Sequence, residues 1–78
     1  MKKIFYAIDY YATETLQNGN ERETVQTVYF PKHSENGRLS RWSPFSAAEY
    51  AEQVLKEQHY YNLIYKGCRE VRLNVIAE

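Results

Sequence analysis

Apolar and polar positions alternate at period two near both ends of the chain and switch to a helical spacing in between. In residues 3–12, Ile4, Tyr6, Ile8 and Tyr10 fall on one side, and Phe5, Ala7, Asp9 and Tyr11 on the other. That alternation predicts a strand. Residues 13–23, TETLQNGNERE, are polar and hold Asn18-Gly19, a turn signal. Residues 24–30, TVQTVYF, are β-branched and aromatic and predict a second strand paired with the first. Pro31 ends it, because proline cannot donate to a ladder. A loop with Asn36-Gly37 follows, and residues 38–43, RLSRWS, are read as a short third strand.

The helical pattern covers residues 47–58, where Ala47, Tyr50, Ala51, Val54 and Leu55 make one apolar stripe. Ser46 and Glu49 have the spacing of a capping box, and Phe45 with Tyr50 that of a hydrophobic staple. Glu52 and Lys56 make a favourable i,i+4 pair on the polar side. Period two then returns. YYNLIYKG is read as a strand ending at Gly67, and in REVRLNVIAE residues Val71, Leu73 and Val75 oppose Glu70, Arg72 and Asn74.

The expected fold is therefore α+β over residues 1–78 as one domain. It is a small antiparallel sheet of four to five strands, order ββ(β)αββ, with one amphipathic helix on one face. One helix leaves the other sheet face wet, shared with a second copy or occupied by a partner. Ile4, Tyr6 and Ile8 are expected under the helix together with Val71, Leu73 and Val75. Phe5, Asp9 and Tyr11 are expected on the uncovered face. For the second strand the pattern leaves open whether Val25, Thr27 and Tyr29 or Val28 and Phe30 face the core.

Composition narrows the function classes. The ten basic and ten acidic residues cancel, whereas nucleic-acid binding draws on a basic excess and nucleic-acid mimicry on an acidic one. Near neutrality also makes self-association easier, and a monomer or a homodimer is expected. Cys68 is the single cysteine, so no internal disulfide can form, which fits a reducing cytoplasm. MKKIFYAIDYY starts like a secretory signal, but Asp9 interrupts a short apolar run, and no segment reaches the ~20 apolar residues of a membrane span. A soluble, cytoplasmic protein is expected.

Candidate chemistry is sparse. His33, His59 and Cys68 lack metal-ligand spacing, and three glycines make no phosphate loop. No catalytic residue, metal or cofactor is expected. Eight tyrosines suit an interface, since each offers a large apolar area with a polar tip at low entropic cost. Arg38, Arg41 and Trp42, with Lys32 nearby, are the one basic and aromatic group, able to stack bases or pair with phosphate. Against that, Trp42 suits packing at the start of the helix.

A short β start, the capped helix FSAAEYAEQVLKEQ and closing strands, all within 78 residues, resemble the order of elements in small phage-encoded anti-CRISPR proteins. The resemblance covers most of the chain as an order of elements and carries no diagnostic motif. It implies a non-enzymatic inhibitor that docks on a host Cas protein or surveillance complex and blocks DNA binding or cleavage. The balanced charge departs from the acidic, DNA-mimicking members. The expected partner-binding residues are Phe5, Asp9, Tyr11, Lys32, Arg38, Arg41 and Trp42. The alternative is a small nucleic-acid-binding domain using the group around Arg38–Trp42.

Overall fold

The computed structural model describes residues 2–32 and 42–74. Three antiparallel strands and one helix follow in the order ββαβ: β1 (Lys2–Thr15), β2 (Glu21–Pro31), α1 (Pro44–Glu57) and β3 (Tyr61–Asn74). The sheet order is β2-β1-β3, so β1 is central and both neighbours are edges. The α+β class and the single helix on one face agree with the sequence pattern, and the count of four to five strands does not. The two segments read as separate strands after the helix are one strand, β3, running through Gly67. Of the expected strand at 38–43, residues 38–41 lie outside the described residues, and Trp42 and Ser43 are not in a strand. Asn36-Gly37 and Val75 also lie outside them.

The β1–β2 turn forms where Asn18-Gly19 predicts it. Gly19 takes φ +85°, a conformation that disfavours a side chain, and the Asn18 Oδ1 accepts from the Asn20 amide at 3.0 Å. The hairpin register runs unbroken from Phe5↔Pro31 to Thr15↔Glu21.

On the other side the register slips twice. Asp9 faces Gly67 but Tyr10 faces Tyr65, leaving Lys66 as an extra residue in β3, and a second slip lies between Tyr11 and Thr13 near Asn62, whose φ is +52°. A β-bulge of this kind reverses which residues face the helix. Before the Lys66 bulge Leu63 and Tyr65 lie on the helix side; after it Cys68 and Glu70 do. Val71 and Leu73 pair with Phe5 and Lys3 and so lie on the open face. The expectation that they pack under the helix is thus overturned by one inserted residue.

The helix begins three residues earlier than its apolar stripe suggests. Ser43, not Ser46, is the N-cap: its Oγ accepts from the Ser46 amide at 3.1 Å, and Ser46 Oγ accepts from the Ser43 amide at 2.9 Å. Pro44 in the first turn explains the shift, since it has no N–H to leave unbonded and its φ is already helical. The expected Ser46–Glu49 box and Phe45–Tyr50 staple are therefore absent, and Phe45 is an exposed first-turn residue. At the other end, Tyr60 N–H donates to Leu55 O and His59 N–H to Lys56 O, both at 3.0 Å, a Schellman closure with His59 at φ +70°.

The core lies between α1 and the helix side of the sheet. Ile8 and Tyr10 of β1, Phe30 of β2, and Ala47, Ala51 and Leu55 of α1 are buried together, with Tyr6, Val28, Trp42, Leu63 and Cys68 packed at their margin. The expectation for Tyr6 and Ile8 is met, and Val28 and Phe30 are the core-facing pair of β2. Alanines at 47 and 51 bring the helix backbone close, and the Tyr10 hydroxyl donates to Ala48 O at 2.9 Å. A 14-residue strand spans about 46 Å and a 14-residue helix about 21 Å, so the sheet overhangs the helix. Beyond the helix, Lys32 of the β2 end pairs with Glu70 of β3 and stands 6.0 Å above the Tyr6 ring.

Candidate protein-binding face

The face of the sheet away from α1 has no layer over it among the described residues. Its composition follows from register, because directly opposed residues of antiparallel strands share a face. Across β2, β1 and β3 the rows are Val25–Tyr11–Ile64, Thr27–Asp9–Gly67, Tyr29–Ala7–Arg69 and Pro31–Phe5–Val71. Leu73 lies beside Lys3 at the far end. Tyr11, Val25, Tyr29, Ile64 and Leu73 are all exposed, Ile64 by 63%. Tyr11, Val25 and Ile64 stand side by side in one row and so make a local apolar group, whereas single exposed hydrophobics are ordinary.

The centre of the face is polar and tied down. Asp9 is only 6% exposed. Its carboxylate accepts from Thr27 Oγ1 at 2.6 Å, from Arg69 Nε at 2.8 Å and from Arg69 Nη2 at 3.2 Å. The Arg69 hydrogen bonds hold the Asp9 carboxyl below the ordinary carboxylate value of 3.8, with Thr27 and the Lys66 charge adding to them and burial opposing. Reciprocally, Asp9 raises the Arg69 guanidinium. Lys66 is placed by its bulge 5.9 Å over the Tyr11 ring. Tyr11, Val25 and Ile64 together line an open hollow of about 710 Å³ at one end of the face.

The expected partner-binding residues are split between the two sides. Phe5, Asp9 and Tyr11 share the open face, as period two predicted. Lys32 and Trp42 are on the helix side. Trp42 packs its ring 4.7 Å from Phe30 and 5.4 Å from Tyr50, the packing role foreseen for it at the helix start. Lys32 is ion-paired with Glu70. Arg38 and Arg41 lie outside the described residues.

Sequence reasoning left Val25 and Tyr29 undecided between the two faces and missed Ile64, Leu73 and Arg69 as members of the open face. One signal was present for β2: pairing the polar Thr27 with Asp9 puts Val25 and Tyr29 on the same side. For β3 the bulge hid the phase.

No three histidine, cysteine or carboxylate side chains cluster as metal ligands among the described residues. Cys68 sits half-buried beside the core, and burial, then the charges of Glu70 and Asp9, pushes its thiol up, away from thiolate chemistry at neutral pH. No helix among the described residues is long and apolar enough to cross a membrane. Compared with known proteins, the chain matches no protein-family model, no curated protein and no solved structure.

Proposed function

We infer that this chain is a non-enzymatic protein-binding module that docks through the open face of its sheet. The observation that supports this reading is the exposed row of Tyr11, Val25 and Ile64 beside a pinned Asp9–Arg69 pair, with exposed Tyr29 and Leu73 farther along the same face. Apolar and aromatic area desolvates cheaply, and a prearranged ion pair adds orientation without new ordering cost. Its partner, on the resemblance in element order, is a host Cas protein or surveillance complex, which the bound module keeps from engaging or cutting DNA.

The test uses the tagged chain to capture partners from a CRISPR-bearing bacterial lysate, beside Tyr11→Ala and Ile64→Ala. The expected result is capture of a defence-complex protein by the parent chain, weaker capture by both variants, and melting temperatures within about 2 °C of the parent, as befits exposed side chains. Capture that both variants retain in full removes the open face from the reading. Binding to single-stranded RNA that weakens steeply with salt would instead favour the nucleic-acid alternative.

A further inference from the structure

The two edges of the sheet are not equally guarded. The Lys32 N–H donates to Ile4 O at 3.0 Å across β2 and β1, which fixes the direction of the backbone groups along β1. In an antiparallel ladder successive residues send their N–H and C=O groups to opposite sides. Even-numbered residues of β1 therefore bond β2, and odd-numbered ones bond β3. On β2, Pro31 then falls where its nitrogen points outward, a position at which proline blunts an edge. On β3, Cys68, Glu70, Arg72 and Asn74 send their backbone groups outward. The Lys66 bulge breaks this edge before them. Residues 67–74 are regular, hold no proline and have no strand beyond them among the described residues.

The side chains on this edge select what can pair with it. Glu70 and Arg72 stand on the helix side, opposite Tyr6 and Ile4, and both are exposed, at the end of the sheet that overhangs α1. Lys32 donates to Oε1 of Glu70, so Oε2 can accept a second donor. Arg72 has no hydrogen bond or ion pair among the described residues. When two copies of one strand pair about a two-fold axis, one residue meets itself and sets the register. Glu70 at the axis opposes glutamate to glutamate, and Arg69 or Arg72 there opposes arginine to arginine, which destabilises. Gly67 or Cys68 at the axis runs the ladder into the bulge, and Leu73 opposes Arg72 to the uncharged Asn74. Val71 at the axis opposes Glu70 to Arg72 twice and turns their outward backbone groups toward each other.

We propose that this chain pairs with a second copy of itself along residues 68–74 of β3, antiparallel about Val71, so that two three-stranded sheets become one of six strands. The zero net charge leaves little repulsion between copies to overcome. The axis is perpendicular to the sheet, so both helices lie on one side and both open faces on the other. The pairing uses none of Tyr11, Val25 and Ile64, and the inference therefore does not rest on the docking proposed for the open face.

The experiment is sedimentation equilibrium of the full chain from about 10 μM to about 1 mM, the range of a small, transient interface. The expected result is a monomer–dimer equilibrium that Glu70→Arg and Arg72→Glu each weaken roughly ten-fold, because each makes both cross-strand pairs like-charged. An equimolar mixture of the two variants should associate as the parent does, since every pair in the mixed dimer is again opposite in sign. Hydrogen exchange of the parent gives a second measure that needs no variant: the outward amides of Glu70 and Arg72 should gain protection as concentration rises. A chain monomeric at about 1 mM, single variants that dimerise like the parent, a mixture no tighter than its components, or a dimer lost on Ile64→Ala would each overturn the assignment.

Discussion

Arg69 grips Asp9 at two points, Nε to Oδ2 at 2.8 Å and Nη2 to Oδ1 at 3.2 Å, across sixty residues of chain. The pair is lopsided: the carboxylate is 8% exposed and the guanidinium 55%. The two ends of the chain are therefore joined by a charge that is nearly buried at one end and wet at the other.

Removing the wet partner should cost more than removing both. In Arg69→Met the Asp9 carboxylate stays in its covered position with Thr27 as its remaining side-chain donor. In Asp9→Asn with Arg69→Met the buried charge is gone. Urea denaturation should rank the double variant as more stable than Arg69→Met alone. The reverse order would mean that Asp9 is adequately solvated without Arg69.

The same pair sets an acid limit. The folded Asp9 carboxyl lies below its ordinary value of 3.8, chiefly through the Arg69 hydrogen bonds. A group with a depressed folded pKa stabilises the fold fully above its unfolded value, and that contribution is lost as pH falls through the folded one. The urea midpoint should therefore drop from about pH 5 downward, and Asp9→Asn should flatten that drop relative to the parent chain. Parallel curves for the two would remove Asp9 as the source.

Leu55 is the fully buried side chain that joins α1 to the sheet, at 2% exposure. Truncation to alanine leaves a cavity in a core whose only other fully buried large side chain among the described residues is Ile8. Leu55→Ala should cost about 2–5 kcal/mol and take a large share of the stability of so small a domain. Chemical denaturation measures it directly.

Ser43 and Glu49 separate the observed cap from the one the spacing suggests. Ser43→Ala removes the acceptor for the Ser46 amide and should cost about 1 kcal/mol. Glu49→Gln keeps an exposed helix former and should lie within about 0.5 kcal/mol of the parent. Thermal unfolding of the two variants checks the assignment, and a larger loss at Glu49 would move the cap to Ser46.

Local and short-range features were legible without coordinates. Period two in residues 3–12 placed Phe5, Asp9 and Tyr11 opposite Ile4, Tyr6 and Ile8, because β1 carries no bulge of its own. Asn18-Gly19 made the turn, and of the apolar stripe Ala47, Tyr50, Ala51, Val54 and Leu55, the members Ala47, Ala51 and Leu55 mark the buried face of α1 while Tyr50 stays exposed at its margin. These follow from backbone stereochemistry and from spacing within one element.

What tertiary structure alone decided concerns pairing. Lys66 becomes an extra residue only because β3 must match a continuous 14-residue β1, and that insertion sends Val71 and Leu73 to the open face and Cys68 to the core. Arg69 meets Asp9 for the same reason, and Phe45 is left exposed because Ser43 and Pro44 start the helix early. The sequence by itself determined the first two strands and their turn, the presence of one helix and the two faces of β1, but not that the closing segments form one strand. The membership of the open face depended on the register between strands distant in sequence, which no single-strand periodicity encodes.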